Sequence, residues 1–217
     1  MALILCLQSM WYKCIFIGLL LVAGSDAQHK VFTYTGNRFT FRLYVTRNIF
    51  SDKYEYICGV DSIMITDKTT GALQTLICEN NGYNCHDTDR PFFKVEDMNF
   101  DGIEDIRIRQ FIPAGPDVPY YYWLYNAKTK KFEPNKQLES ITSPVFNAVK
   151  KNIISEQRTS VAEYVTTTYE FVDDKPVKTE EVNKKYGDDD YVTITIKKRK
   201  NGHLITVSKS REQAGGN

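Results

Sequence analysis

Short runs of alternating polar and apolar residues recur along most of the chain. The run from Phe39 to Val45 is apolar at every second position, and the run from Ser62 to Thr66 alternates in a similar way. This period places the apolar side chains on one face of a β-strand. Segments rich in glycine, asparagine, aspartate and lysine follow such runs and predict tight turns. The pattern therefore predicts a series of antiparallel hairpins.

Later parts of the chain repeat this arrangement of strand and turn, including an aromatic strand at Tyr120–Tyr125. The residues from 138 to 154 are less regular, and Phe146, Val149 and Ile153 have the spacing of one short helical face. The predicted turns lie at residues 35–37, 67–71, 126–131, 173–176 and 201–202.

The composition agrees with an all-β chain, because its 14 tyrosines and 12 phenylalanines favour strands. The length suits one domain with a sizeable core, predicted to span residues 28–210, and a polar, glycine-rich tail at 211–217 is predicted to fray. A β-sandwich, a barrel and a small β-propeller all satisfy a series of hairpins. The alternation alone does not choose among them.

The first 27 residues have the order of an export signal. Lys13 precedes an apolar run that extends from Cys14 to Ala23. Small residues at Ser25 and Ala27 then suit cleavage before residue 28. An uncleaved membrane anchor is the alternative, but the apolar run is short for a bilayer. The mature protein is therefore predicted to be exported, periplasmic or secreted, without a membrane span.

The most informative segment runs from Asp97 to Asp105. Side-chain oxygens occupy its first, third, fifth and ninth positions, and Gly102 takes the sixth. Alternate oxygens with a glycine at the bend are typical of loops that ligate Ca²⁺. An EF-hand would also need flanking helices and a glutamate at position twelve, which here is Ile108. The predicted calcium ligands are the side chains of Asp97, Asn99, Asp101 and Asp105 and the backbone carbonyl of Ile103.

A structural role is expected for this metal. Several carboxylates held together repel one another until a cation neutralises them, so binding would stabilise the folded state. The alternative is an ordinary polar turn without metal. Glu104, which lies among the predicted ligands, is expected to face solvent.

Three cysteines follow the export signal, and an exported protein meets an oxidising compartment. A bridge between Cys78 and Cys85 is predicted, because the turn-rich residues 79–84 can bring the two thiols together. A bridge between Cys58 and Cys78 on neighbouring strands is the alternative. A zinc site is disfavoured, because His86 lacks a second Cys or His pair at zinc spacing.

A second candidate region is the segment 113–119, which contains three prolines and one glycine. Such a segment predicts a stiff, exposed loop that cannot join a sheet. A rigid loop beside tyrosines loses little entropy when it binds a partner. The alternative is a simple connector over a core strand. The predicted partner-binding residues are Pro113, Pro116, Asp117, Tyr120 and Tyr121.

The charge balance excludes some partners. The formal net charge is +1, which gives no indication of nucleic-acid binding or of a basic membrane surface. The chain contains neither an H-E-x-x-H nor a G-x-S-x-G motif. We assign no catalytic residue and predict that the protein is not an enzyme. A glycosidase with two carboxylates across a cleft is the alternative.

The segment 95–106 resembles the calcium loop of FG-GAP and VCBS-type propeller repeats. The residues that follow it carry a more specific resemblance, in the aromatic strand, the turn that ends at Phe132, and the segments 138–141 and 144–146. From about residue 62 to 154 the chain resembles a family of small exported bacterial proteins. That family includes periplasmic immunity proteins that inhibit lysozyme-like effectors delivered by antibacterial type IV secretion systems.

This resemblance implies a small calcium-bearing β-propeller of five blades, with Ca²⁺ as cofactor. It also implies a peptidoglycan hydrolase as partner, blocked by a loop inserted into its cleft. The chain departs from the family pattern because no lipid-acceptor cysteine lies at the cleavage site, which implies a soluble form. Members of one family need not share a target. A surface module that binds a cell-wall glycan or another protein without inhibition is therefore the alternative function.

Overall fold

The structure, a computed structural model, describes residues 28–50, 55–79, 81–84 and 92–214. Within these ranges the chain forms fifteen β-strands and one short 3-10 helix, Leu138–Ser140. The strands make three antiparallel sheets, and most neighbours in a sheet are also neighbours in the chain. The prediction of an all-β fold built from antiparallel hairpins is confirmed.

The three sheets, A, B and C, follow one another along the chain. Sheet A contains β1 (Gln28–Thr35), β2 (Phe39–Phe50), β3 (Glu55–Asp67), β4 (Leu73–Ile77) and β5 (Tyr83–Asn84), with β5 paired to β3. Sheet B contains β6 (Phe93–Glu96), β7 (Asp105–Arg109), β8 (Tyr120–Asn126) and β9 (Lys131–Pro134). Sheet C contains β10 (Pro144–Asn147), β11 (Asn152–Ser160), β12 (Glu163–Val172), β13 (Lys175–Tyr186), β14 (Tyr191–Lys200) and β15 (His203–Gln213).

Sheet A packs against one face of sheet B, and we call the contact the A–B core. Phe39 and Phe41 of β2 are at most 2% exposed. The ring centroid of Phe39 lies 4.9 Å from that of Phe132 on β9, and the ring of Phe41 lies 5.6 Å from that of Phe93 on β6. Burial of several aromatic side chains supplies much of the apolar area that holds the two sheets together.

The opposite face of sheet B packs against sheet C and the 3-10 helix, and we call this contact the B–C core. Tyr122 of β8, Leu138 of the helix and Ile153 of β11 are fully buried there, together with Met98 and Ile141. Sheet B is therefore covered on both faces.

Because sheet B lies between sheets A and C, its central strands are buried on both faces. In β8, Trp123 and Tyr125 lie in the A–B core, whereas Tyr122 and Leu124 lie in or against the B–C core. Every residue of β7, Asp105–Arg109, is buried. A polar–apolar alternation normally marks a strand with one wet face, so the burial of β7 on both faces is not expected from its sequence.

The hairpin turns have the chemistry that the sequence predicts. Asn201 and Gly202 both have positive φ, 50° and 85°. A two-residue hairpin loop with positive φ at both positions matches the right-handed twist of the flanking strands. Asparagine and glycine tolerate that backbone better than other residues, which explains the turn between β14 and β15.

The predicted short helix is wrong. Phe146 lies on β10 and Ile153 lies on β11, and the two are cross-strand partners in a hairpin. The chain reverses between them, with Lys151 at a φ of 50° and Val149 95% exposed at the turn. A hairpin of this length places residues 146 and 153 on one face, which imitates the helical spacing.

The predicted frayed tail is also wrong over its first residues. Arg211 belongs to β15 and pairs with β14. Its guanidinium forms an ion pair with Asp189 and lies 4.8 Å from the ring centroid of Tyr191. The amide of Ala214 donates a hydrogen bond to the carbonyl of Asp190. Residues 215–217 lie outside the described residues.

The predicted Cys78–Cys85 bridge is wrong, and so is the Cys58–Cys78 alternative. Cys58 is disulfide-bonded, whereas Cys78 is a free, buried thiol; Cys85 lies outside the described residues. Alternation at the end of β4 places Leu76 and Cys78 in the A–B core and leaves Ile77 exposed. Burial raises the pKa of the Cys78 thiol to about 12, so this thiol stays protonated near neutral pH.

The predicted export signal at residues 1–27 lies outside the described residues. Within the described ranges, no helix has the length and apolar character needed to cross a membrane.

Candidate functional site

The candidate site is the segment 97–105, which consists of the connection between β6 and β7 and the first residue of β7, Asp105. Met98 is fully buried in the B–C core and fixes the start of the loop. Phe100 and Gly102 have φ values of 63° and 89°. A left-handed backbone suits glycine at the bend, as the sequence predicts, whereas it is uncommon for phenylalanine.

Short polar side chains of the loop accept hydrogen bonds from its own backbone. The two carboxylate oxygens of Asp97 accept from the amides of Asp101 and Gly102, at 3.1 and 2.9 Å. Asn99 Oδ1 also accepts from the amide of Asp101, at 3.1 Å, and Asp101 Oδ1 accepts from the amide of Ile103, at 2.8 Å. These bonds fold the side-chain oxygens of the loop towards one another.

Asp105 fixes the end of the loop and is fully buried. Its Oδ2 accepts a hydrogen bond from the amide of Met98 at 2.9 Å, and its Oδ1 accepts from the amide of Tyr125 on β8 at 2.8 Å. Burial is the main cause that raises the pKa of Asp105 to about 7, and the nearby carboxylates of Asp101 and Asp97 raise it further. Asp105 is therefore a buried carboxyl group that lies near two other carboxylates of the loop.

Glu104 does not face solvent freely, and that expectation is wrong. Its carboxylate accepts hydrogen bonds from the amides of Asn37 and Arg38 in the β1–β2 turn of sheet A. The turn has room for this carboxylate because Gly36 has no side chain; a Cβ there would lie 2.5 Å from a Glu104 oxygen. A sequence signal for this contact is absent, because it joins residues more than sixty positions apart.

The loop contacts all three sheets. Glu104 binds sheet A, and Asp105 binds β8 of sheet B. The ring of Phe100 lies 6.4 Å from that of Phe146 and 6.1 Å from that of Phe171, both on sheet C. A ligand that rigidified this loop would therefore act on the packing of the whole described region.

The structure brings the predicted ligand residues together in one loop, and their oxygens are the hard donors that Ca²⁺ prefers. The side-chain oxygens are engaged with backbone amides, as described above. Among the described residues, no three Asp, Glu, His or Cys side chains converge as a formed metal centre. The donor types fit Ca²⁺, and each oxygen that accepts an amide hydrogen keeps a further lone pair that could face an ion. The residues in question are Asp97, Asn99, Asp101, Ile103 and Asp105.

Residues 113–119, which we call the proline-rich loop, are hydrogen-bonded to Ser143, just before the first strand of sheet C. The amide of Ser143 donates to the carbonyl of Val118 at 2.8 Å, and the amide of Val118 donates to Ser143 Oγ at 2.9 Å. Ser143 Oγ also donates to the carbonyl of Pro116 at 2.6 Å. Phe111 and Ile112, just before the loop, are 54% and 44% exposed. The loop is thus fixed by hydrogen bonds and faces solvent, as its prolines predict.

The five predicted partner-binding residues do not form one surface. Pro116 is exposed, and Pro113 and Asp117 are half-buried on the loop. Tyr120 and Tyr121 are half-buried on opposite faces of β8. Tyr121 packs against the A–B core, whereas Tyr120 packs against the B–C core. Their adjacent positions in a strand send the two rings in opposite directions.

Two clefts lie away from the segment 97–105. One of about 610 Å³ lies between sheets A and B and is lined by Asp67 and Tyr125, among others. Beside it, the Gln74 side chain bonds both the amide and the carbonyl of Phe132, at 2.8 and 2.9 Å, which joins β4 to β9. The other, of about 480 Å³, lies on sheet C around Tyr164 and was not anticipated from the sequence.

No protein-family model matches the chain, and no curated protein matches it. Among solved structures, a type IV secretion system related protein from Xanthomonas is similar, with a TM-score of 0.64 and 17% sequence identity; the match covers 82% of this chain and 93% of that one. A candidate 6-phosphogluconolactonase from Bacteroides fragilis gives a TM-score of 0.28 and 10% identity over 83% of this chain and 70% of that one, too low to support any argument. At this identity the first match indicates a shared fold and nothing more.

Proposed function

We propose that this chain is an exported, calcium-binding protein of the β-propeller type that binds and inhibits a peptidoglycan hydrolase. The observation that carries the proposal is the fold likeness to a type IV secretion system related protein over most of both chains. The sequence resemblance to secretion-associated immunity proteins points to the same setting. The protein acts by binding, and we assign it no catalytic residue.

The propeller architecture is supported by the form of the three sheets. Each is an antiparallel meander of consecutive strands, except that β5 of sheet A pairs with β3. Sheet B is covered on one face by sheet A and on the other by sheet C, as a blade is covered by its two neighbours in a propeller.

The calcium site is supported by the spacing and chemistry of the loop. Asp97, Asn99, Asp101 and Asp105 supply side-chain oxygens, and Ile103 supplies a carbonyl. Asp105 is a buried carboxyl group with two further carboxylates near it. A divalent cation neutralises such a group, so its binding stabilises the folded state. Because the loop contacts all three sheets, the effect extends beyond the loop itself.

Thermal unfolding tests the metal. The protein is stripped with EDTA and melted with CaCl₂ or MgCl₂. At about a hundredfold excess of Ca²⁺ over its dissociation constant, we expect the melting temperature to rise by roughly 5–10 °C, with a smaller effect of Mg²⁺. Asp101→Asn should remove this response, whereas Asp188→Asn in an exposed turn should keep it. A calcium response that survives in Asp101→Asn would contradict the assignment.

Peptidoglycan hydrolysis tests the inhibition. Candidate lysozyme-like hydrolases from the same organism are mixed one at a time with purified peptidoglycan, and the loss of turbidity is followed. We expect a stoichiometric amount of the protein to stop the reaction, and an unrelated lysozyme to be unaffected. Asp117→Arg on the proline-rich loop should weaken inhibition, with Asp188→Arg in an exposed turn as the matched control. The absence of both a complex and inhibition would overturn the proposal.

A further inference from the structure

The cleft of about 480 Å³ opens on the face of sheet C that points away from sheet B. On β12, Thr167 is 1% exposed and faces the B–C core, so Tyr164 and Thr166 point outward. The cross-strand pairs Glu156 with Thr166 and Tyr164 with Lys184 bring side chains of β11 and β13 onto the same face. The volume lies in the range of small-molecule sites.

Two tyrosines dominate this cleft. Tyr164 and Tyr186 are each 42% exposed, with ring centroids 6.0 Å apart and planes at 86°. Val161, in the turn beside them, is 85% exposed, and Ala162 also lines the cleft. Apolar groups concentrated in one concave place and left in water mark a binding surface more often than scattered ones do.

Hydrogen-bond donors and acceptors both surround the two tyrosine rings. Glu156 supplies acceptors, Lys184 supplies donors, and the Thr166 hydroxyl can do either. The guanidinium of Arg158 lies 5.6 Å from the ring centroid of Tyr164 and donates to the carbonyls of Ser160 and Val161, so it holds the cleft wall.

We propose that this cleft binds an N-acetylhexosamine oligosaccharide. The C–H face of a pyranose ring is weakly positive and fits the negative face of an aromatic ring. Its hydroxyl and amide groups lie at the ring edge, where Glu156, Thr166 and Lys184 can pair with them. The acetyl methyl group fits the apolar surface of Val161. A purely apolar ligand would leave the polar groups unpaired, and a phosphate would meet the Glu156 carboxylate.

Calorimetry and co-sedimentation test this site independently of the proposed function. Calorimetry uses N,N′,N″-triacetylchitotriose, and co-sedimentation uses purified peptidoglycan sacculi. We expect the wild-type protein to bind, and the double variant Tyr164→Ala/Tyr186→Ala to bind about tenfold more weakly or worse. Binding to chitotriose alone would identify the ligand as a free oligosaccharide, and binding to sacculi as well would identify it as the cell-wall glycan. Binding to neither would overturn the proposal.

Control variants separate the cleft from general stability. Tyr44→Ala removes a tyrosine of similar exposure, 38%, from sheet A and should bind normally. Val161→Asp changes a side chain that is 85% exposed and should weaken binding without loss of fold. The double tyrosine variant should still inhibit the hydrolase, so the two proposals can fail separately. Sugar binding that is unchanged in both cleft variants would overturn the assignment.

Discussion

Aromatic rings dominate the contact between sheets A and B, whereas a buried arginine lies within the contact between sheets B and C. In the A–B core, Phe39 and Phe132 meet at 4.9 Å. In the B–C core, Arg107 is 2% exposed, and its guanidinium lies 4.5 Å from the ring centroid of Tyr120 and 5.1 Å from that of Phe146. The same sheet therefore packs an apolar surface on one face, and on the other an apolar cluster that also encloses a charge.

The A–B contact also has an arginine, but it lies at the rim. Arg38 is a third exposed and forms an ion pair of 2.7 Å with Asp67. It also donates a hydrogen bond of 2.9 Å to the hydroxyl of Tyr125. Asp67 is buried, but water reaches the guanidinium and screens the pair, so the pair contributes modestly to stability and fixes how the β1–β2 turn meets sheet B.

Arg107 depends on its surroundings in a different way. Its Nη2 lies 2.7 Å from a Glu96 oxygen, and its Nη1 donates to the carbonyl of Pro144 at 3.2 Å. Its Nε is buried without a hydrogen-bond partner among the described residues. The faces of the two aromatic rings attract the guanidinium electrostatically and partly replace the water that it loses on burial. A buried charge of this kind is costly to leave alone and makes the contact specific to its partners.

The largest expected effect comes from the apolar face. Phe41 is fully buried between Phe93 and Phe132, so Phe41→Ala leaves a cavity in the A–B core. We expect a loss of about 4 kcal/mol in the free energy of unfolding, measured by urea denaturation. Tyr44→Ala, on the exposed face of the same strand, should change stability much less. A loss below about 1 kcal/mol in Phe41→Ala would mean that the A–B core is loosely packed.

The second effect tests the buried arginine. Arg107→Ala removes the ion pair and also leaves a cavity between the rings of Tyr120 and Phe146, and we expect a loss of roughly 3 kcal/mol in the same assay. Arg107→Met fills the same space without charge, and the Glu96 side chain, whose paired oxygen is buried, is 29% exposed overall and can turn its carboxylate towards water. We therefore expect Arg107→Met to lose only about 1 kcal/mol. Equal losses in the two variants would show that the charge, and not the filled volume, holds sheets B and C together.

The contrast between the two faces also explains what the sequence could predict. The alternation in β2 and β3 leads directly to the A–B core, because the apolar positions are the buried ones. In β7 the same alternation is misleading, since Arg107 occupies a position that usually faces water. The burial of Arg107 depends on Tyr120 and Phe146, which come from other strands. Local pattern does not carry that information.

In the candidate site, too, local features could be predicted from the sequence, whereas contacts between distant residues could not. The bend at Gly102 could be predicted because loop spacing is a local property, and the calcium ligands Asp97 and Asp101 stay a prediction. The role of Glu104 could not be predicted, because its partners lie in the first hairpin of the chain. The Cys78 thiol shows the same limit: turn-rich residues after it favoured a local bridge, but the alternation of β4 directs its side chain into the core.

A smaller effect is expected at the contact between the loop and sheet A. Glu104→Ala removes the acceptor of two backbone amides in the β1–β2 turn, and we expect a loss of about 1–2 kcal/mol in the free energy of unfolding. Hydrogen exchange locates the effect, because the amides of Asn37 and Arg38 should lose protection. Glu79→Ala, an exposed glutamate of sheet A's connecting segment, is the control. Unchanged exchange at Asn37 and Arg38 would contradict the tie between the loop and sheet A.

The smallest effect is expected at the rim pair and depends on pH. The Arg38 guanidinium, together with Thr69, holds the pKa of Asp67 well below its usual range. The folded state thus favours the carboxylate, so the contribution of Asp67 is complete above the unfolded pKa of about 4 and declines as the pH falls below it. We expect Asp67→Asn to lose about 1 kcal/mol at pH 7, because the partly exposed pair is screened.

Urea denaturation of the wild type and of Asp67→Asn at pH 7, 4 and 3 checks this dependence. The difference in the free energy of unfolding should shrink as the pH falls. Sodium chloride should shrink it at pH 7 as well, because the pair lies at the rim, whereas the loss in Arg107→Ala should change little with salt. A difference that stays constant from pH 7 to pH 3 would mean that the Asp67 side chain acts through its shape and hydrogen bonds to Thr69, and not through its charge.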